Sequence, residues 1–230
     1  MAKPQVSPYT SLFGGADFDA ATFYGAFGTT LGIKGASKAA VTDLLSGAAG
    51  GDPDAARGQA LSAEVLTSLA VGGQGLAGLK PGVSPDAAAE AMVVATFPAG
   101  AAVVKKGDKF DLSSSDSLAA IFNKALGGAP QDVVTAVSDA LADTNGVVSK
   151  AAASGDGAGV GKAGARALKF GQATLGPAAR SLAAKDTAMD AFKAEYGSEE
   201  GVRKGVEAVA VEEVGAAAVD RAGRRLLRRR

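Results

Sequence analysis

Residues 52–73, DPDAARGQALSAEVLTSLAVGG, contain the signals that decide the fold class of this chain. Asp52 can cap a helix, and Pro53 suits the first helical position because proline has no N–H to leave unpaired there. Gly72 and Gly73 form a typical helix stop. The stretch therefore predicts a helix that begins at Pro53 and ends at the two glycines.

Similar start and stop signals recur further along the chain. Ser84 and Pro85 begin a second predicted helix, which Pro98 closes. The serine-rich residues 113–117 begin a third helix. Its apolar residues recur on one face, at Leu118, Ile121, Phe122 and Leu126.

Three more helices follow. The fourth begins near Pro130 and ends at Asn145 and Gly146, and its apolar stripe consists of Val133, Val134, Val137 and Leu141. The fifth covers residues 177–195 and stops at Gly197, and the last begins after Ser198. Only residues 101–112 favour a short β-hairpin, with two β-prone runs around a Gly-Asp turn. The chain is therefore predicted to be all-α.

Composition predicts four parts of the chain. Residues 1–30 form an extended arm followed by a short aromatic helix, and residues 31–148 form a helical core. Residues 149–164, rich in Gly and Ala, are predicted to be a flexible linker. Residues 165–230 form a helical C-terminal region with an Arg-rich end.

Small residues dominate the composition. Apolar residues make up 47% of the chain, but aromatic residues only 5%, and there is no Trp. Small side chains bury little apolar area each, so packing stabilises an Ala-rich helix less than a Leu-rich one. Either the protein is modestly stable alone, or a partner adds to its stability.

The chain lacks several residue types on which function often depends. There is no His and no Cys, which excludes disulfides and thiolate chemistry and removes the commonest general base and metal ligand. We therefore predict no catalytic residue, no metal site and no cofactor. The formal net charge is zero. No apolar run is long enough for a membrane span and the N-terminus has no signal-peptide pattern, so we expect a soluble protein of unknown location.

Two motifs resemble known sites but lack the required context. Residues 159–164 match the pattern G-x-G-x-x-G, but no strand precedes them, as a dinucleotide site requires. Asp108, Asp111 and Asp116 lie close together in sequence, but their spacing does not fit a calcium-binding loop. In a chain with 32 glycines the first pattern is interpreted as a chance match, and the three acids are interpreted as solvated turn residues.

Half of the aromatic residues lie in the first 27 positions. These six are Tyr9, Phe13, Phe18, Phe23, Tyr24 and Phe27. One helix face cannot hold all of them. Either the segment folds back over its own domain, or its rings dock on a neighbouring subunit, as aromatic residues often do at interfaces.

The C-terminus is strongly basic. Six arginines occupy the last ten residues: Arg221, Arg224, Arg225, Arg228, Arg229 and Arg230. Such a block can bind nucleic acid, dock on an acidic partner, contact an anionic membrane, or simply complement the dipole of a solvated helix end.

These observations favour a non-enzymatic structural or linker subunit of a large assembly, such as a virus particle (virion) or a light-harvesting complex. Its partners would be other protein subunits, contacted through the aromatic arm. The alternative is a nucleic-acid-associated protein that uses the Arg-rich tail. Elsewhere most Lys and Arg residues are interspersed with acidic residues, which favours protein partners.

Overall fold

The computed structural model describes residues 47–48, 50–84, 87–89, 91–92, 111–126 and 128–211. Every regular element among these residues is helical, so the all-α prediction is confirmed. The predicted hairpin, residues 101–112, lies outside the described residues except for Asp111 and Leu112.

Seven helices and one π-helical turn have defined bounds. They are α1 (Pro53–Leu79), α2 (Ser115–Leu126), α3 (Gln131–Ala153), α4 (Gly157–Phe170), the π-helical turn (Gly171–Leu175), α5 (Gly176–Ala183), α6 (Met189–Tyr196) and α7 (Glu199–Ala208). Residues 87–89 and 91–92 are also helical. None of the described helices is both long enough and apolar enough to cross a membrane.

Helix α1 lies at the centre of the fold. It packs against α2, α3, α4, the π-helical turn and α5, and buried residues occur on all of its sides. Small residues make these close contacts feasible. A Cβ atom on Gly78 would lie 2.3 Å from the carbonyl oxygen of Arg180, and one on Gly164 would lie 2.8 Å from Cβ of Ala63. The Ala- and Gly-rich composition therefore serves close helix packing.

One apolar core runs through these helices, from Ala48 to Val206. All four described aromatic residues are buried in it, at Phe122, Phe170, Phe192 and Tyr196. The described part of the chain thus uses its few aromatic rings internally.

Three predicted helix starts are confirmed by their capping bonds. The Asp52 carboxylate accepts from the backbone N–H groups of Asp54, at 2.9 Å, and Ala55, at 3.4 Å. The Ser84 hydroxyl accepts from Ala87 N–H at 3.2 Å, and the Ser198 hydroxyl accepts from Gly201 N–H at 3.2 Å. Each bond pairs a donor that the first helical turn leaves unsatisfied.

Two predicted helix ends are wrong. Helix α1 passes through Gly72 and Gly73, both buried, and ends at Leu79. Helix α3 passes through Asn145 and Gly146 and ends at Ala153. Asn145 is fully buried, and its amide donates to other elements instead of capping the helix. Packing on both helices outweighs the local stop signals.

The predicted helix over residues 177–195 is also wrong, since α5 and α6 are separate helices. Between them Lys185 has a φ of +65°, and the backbone N–H of Asp186 donates to the carbonyl of Ser181 at 2.8 Å. Pro177 follows the π-helical turn, in which Gly176 N–H donates to the carbonyl of Gly171. Proline lacks an N–H and crowds the preceding turn, which fits a wider turn at this point.

Residues 149–164 are not a flexible linker. They comprise the end of α3, a short corner and the first half of α4, which Asp156 caps by accepting from Ala158 N–H at 3.1 Å. Val160 is fully buried, and α4 packs on α1 and α3. The other predicted divisions of the chain stay predictions.

Candidate functional site

Both predicted binding regions lie outside the described residues. The aromatic set is Tyr9, Phe13, Phe18, Phe23, Tyr24 and Phe27, and the basic set is Arg221, Arg224, Arg225, Arg228, Arg229 and Arg230. Their roles stay predictions.

The described residues contain one roomy surface cavity, here called the terminal groove. It has a volume of about 290 Å³ and opens to solvent between the π-helical turn, α6 and α7. Its walls are formed by the end of α4, the π-helical turn, α6, α7 and the residue that follows α7. Lining residues are Phe170, Thr174, Tyr196, Gly205, Ala208 and Val209.

Aromatic rings form the floor of the terminal groove. The rings of Phe170 and Tyr196 meet edge to face, with centroids 6.4 Å apart and planes at 65°. The Phe192 ring packs against the Tyr196 ring, with centroids 5.0 Å apart. Both rings that line the groove are largely buried, Phe170 at 4% and Tyr196 at 7% exposed, so they contribute a small apolar part of the groove surface.

Glycine on α7 brings the helix backbone against this floor. A Cβ atom on Gly205 would lie 2.8 Å from Cε2 of Phe170, so this position accommodates the ring only because it has no side chain. Ala208, one turn further along α7, is exposed at the rim. The α7 side of the groove therefore packs directly on Phe170 and is composed of small residues.

Polar groups lie at one side of the terminal groove. The Tyr196 hydroxyl donates to Oε1 of Glu195 at 2.8 Å. Burial, together with this hydrogen bond and the negative charge of Glu195, raises the pKa of Tyr196 to about 12. The phenol is therefore neutral in ordinary buffers and keeps donating to the exposed carboxylate.

Lys169 contacts the backbone segment that follows α7 beside the groove. Lys169 Nζ donates to the carbonyl oxygen of Ala210 at 2.8 Å, which holds the backbone after α7 close to the end of α4. Val209 is thereby kept as one wall of the cavity. The arrangement can bind an apolar or aromatic group. Glu195 and Thr174 can form hydrogen bonds with a polar atom at the end of that group.

Sequence reasoning did not identify the terminal groove. Two sequence spacings nevertheless indicate parts of the groove. Phe192 and Tyr196 are four residues apart, and so are Gly201 and Gly205. Both spacings place residues on one helix face. The π-helical turn, which separates Phe170 from α5, has no such simple signal.

The two rejected motifs have structural roles. The Gly-rich residues 159–164 lie within α4, where Gly161 faces Gln59 and Gly164 faces Ala63 of α1. Asp111 accepts from the backbone N–H of Ser113 at 2.8 Å and from its hydroxyl at 2.7 Å, as a turn residue before α2. Within the described residues, no three acidic side chains are grouped so that they could hold a metal ion.

Comparison with known proteins found no matching family model, no curated protein and no solved structure of significant similarity.

Proposed function

We propose that this chain is a non-enzymatic structural or linker subunit of a multi-subunit assembly, and that residues 1–27 make its contact with a neighbouring subunit. The terminal groove is the observation that carries the proposal. It is an open cavity of about 290 Å³, lined in part by Phe170 and Tyr196, whose side chains are themselves largely buried.

The groove suits an aromatic side chain of the N-terminal segment. Phe170 and Tyr196 line the groove, and α7 contributes only the small residues Gly201, Gly205 and Ala208 to it. A tyrosine entering from solvent would also find Glu195 as an acceptor at the rim. Aromatic anchors in such pockets often dominate binding energy because they bring large area at small entropic cost.

We assign the groove to the N-terminal segment of a second copy of this chain. Donor and receptor chemistry are both present on one polypeptide: six aromatic residues in the first 27 positions, and the groove near the other end. An extended segment of 27 residues can reach about 90 Å, more than the diameter of a domain of this size. Such a head-to-tail contact builds rings or filaments, which suits a virus particle or another large complex.

The first test is the mass of the purified chain in solution. We expect the full chain to form assemblies, and deletion of residues 1–27 to give monomers with an unchanged circular dichroism spectrum. Ala208→Trp should do the same, because an indole at the exposed rim fills the groove. Ala120→Trp is the matched control, since Ala120 is exposed on α2, outside the groove lining. Light scattering gives the masses.

Each outcome of this test has a distinct meaning. If the deletion abolishes assembly but Ala208→Trp does not, the N-terminal segment acts elsewhere and the groove assignment fails. If the deletion leaves the mass unchanged, the assembly proposal fails. Loss of the fold on deletion would mean that the aromatic residues belong to the chain's own core.

A nucleic-acid-associated role is the second candidate. On α4 the basic residues Lys162, Arg166 and Lys169 recur at helical spacing, and α4 contains no acidic residue. Lys169 also donates to the carbonyl oxygen of Ala210, so the last described residues lie close to this helix. Nucleic acid that co-elutes with the full chain and is released by added salt would favour this role.

A further inference from the structure

Helices α1 and α3 meet along two polar contacts, one buried and one half-buried. The Ser149 hydroxyl donates to Oε1 of Glu64, and the Asn145 amide donates to the Ser68 hydroxyl at 3.1 Å. Positions 64 and 68 are one turn apart on α1, and positions 145 and 149 are one turn apart on α3. The two helices are therefore antiparallel here, and the two contacts are adjacent rungs of one seam.

The seam also holds the segment that precedes α2. The Asn145 amide donates to the carbonyl oxygen of Leu112 at 2.7 Å, and Leu112 is buried. Among the described residues, Oδ1 of Asn145 has no hydrogen-bond partner. The polar groups of this interface are therefore only partly satisfied, which makes the interface sensitive to an added charge.

Glu64 is an acid inside this seam. Its side chain belongs to a residue only 1% exposed, and burial raises its pKa from 4.5 to about 8. The hydrogen bond from Ser149 lowers the pKa, and the negative charge of Asp111 raises it. The carboxyl is therefore neutral at neutral pH.

No cation among the described residues compensates Glu64. Of the charged groups on neighbouring elements, Asp111 is the one that acts on it. Lys150, next to Ser149 on α3, is exposed and pairs with Glu199 of α7. The charged side chains on the other helices packed against α1 are exposed or half-buried: Asp116 and Lys124 on α2, Asp132, Asp139 and Asp143 on α3, Lys162, Arg166 and Lys169 on α4, and Arg180 on α5.

We propose that Glu64 makes the seam of the Glu64–Ser149 and Ser68–Asn145 contacts a proton-dependent latch between α1 and α3, closed while Glu64 carries its proton and loosened when it ionises. The cost of burying the charge exceeds the gain in strength of the Ser149 hydrogen bond. Ionisation leaves an unpaired charge in the interior, which hydration can relieve only if the helices separate. Since Asn145 also binds the carbonyl of Leu112, loosening would extend to the start of α2. This proposal is independent of the assembly proposal.

The pH dependence follows from the sign of the shift. Glu64 binds its proton more tightly in the folded state than in the unfolded state, so its contribution to stability is complete below pH 4.5. That contribution declines as the pH rises and is lost above about 8. The chain has no His and no Cys, so few other side chains titrate in this window.

The test is urea unfolding of the wild type and Glu64→Gln between pH 5 and 9. We expect the unfolding equilibrium constant of the wild type to rise about tenfold per pH unit up to pH 8. Glu64→Gln should be nearly flat and more stable than the wild type at pH 9. Amide hydrogen exchange in α1 and α3 should accelerate with pH in the wild type only.

Glu199→Gln is the matched control. Lys150 holds the pKa of Glu199 below its ordinary value, so this exposed carboxyl is ionised throughout the range and its replacement should keep the wild-type slope. Asp143→Asn measures the smaller contribution of a half-buried carboxyl on α3, whose pKa is raised mainly by burial. An unchanged slope in Glu64→Gln, or a flat wild-type profile, would overturn the latch.

Direct titration of the Glu64 carboxyl by NMR keeps the test decisive if Glu64→Gln does not fold. In the wild-type chain we expect its midpoint near pH 8, and a higher midpoint in Ser149→Ala, because the Ser149 hydrogen bond stabilises the ionised form. A midpoint near the ordinary value of 4.5 would refute the proposal.

Discussion

At the scale of single residues, close packing depends on where glycine permits a neighbour to approach. Gly78 and Gly75 are on the same helix, α1, but their surroundings differ. A Cβ atom on Gly78 would meet the backbone carbonyl of Arg180, whereas one on Gly75 would have nothing within 4 Å. Composition alone does not distinguish these two glycines.

This difference predicts opposite effects of two alanine substitutions. Gly78→Ala should destabilise the protein by about 2 kcal/mol, because α1 and α5 must separate to relieve a backbone clash. Gly75→Ala should be neutral or stabilising by up to about 1 kcal/mol, because alanine favours the helix. Urea midpoints measure both changes. Equal effects of the two substitutions would contradict the packing described for α1.

At the scale of helices, the capping bonds make a second pair of matched variants available. Asp52→Ala removes the acceptor for the N–H groups of Asp54 and Ala55 and should cost about 1 kcal/mol. Asp52→Asn keeps an acceptor at the cap and should cost much less. Because α1 contacts most other helices, the loss should appear in global unfolding, as measured by thermal denaturation. A tolerated Asp52→Ala would argue against the cap.

The sequence predicts where helices begin better than where they end. A start depends on one local side chain, as at Asp52 and Ser198, and such signals are visible in sequence. An end signal such as Gly72 or Asn145 competes with tertiary packing. Both residues are buried within longer helices, and the partners that bury them are distant in sequence.

The same reasoning explains the linker and the terminal groove. Residues 149–164 are predicted to be flexible because they are rich in glycine and alanine. In the folded chain, the small size of these residues lets α4 pack on α1. The groove depends on Phe170, Tyr196 and Gly205, which lie on three elements that only the folded chain brings together. The Glu64 seam likewise joins α1 and α3 across 85 residues.

At the scale of the whole molecule, the account joins two features from opposite ends of the chain. The N-terminal segment would be the donor and the terminal groove the receptor. Since one copy carries one of each, the unmodified chain should assemble without a fixed limit unless a ring closes. Removing the donor from one copy and blocking the receptor of another should therefore leave a single productive contact.

The most direct test mixes two variants that are each expected to be monomeric. The chain lacking residues 1–27 keeps an open groove, and Ala208→Trp keeps its N-terminal segment. We expect the mixture, measured by native mass spectrometry, to contain a one-to-one heterodimer that grows no further. A mixture that contains only the two monomers would contradict the proposed contact between copies.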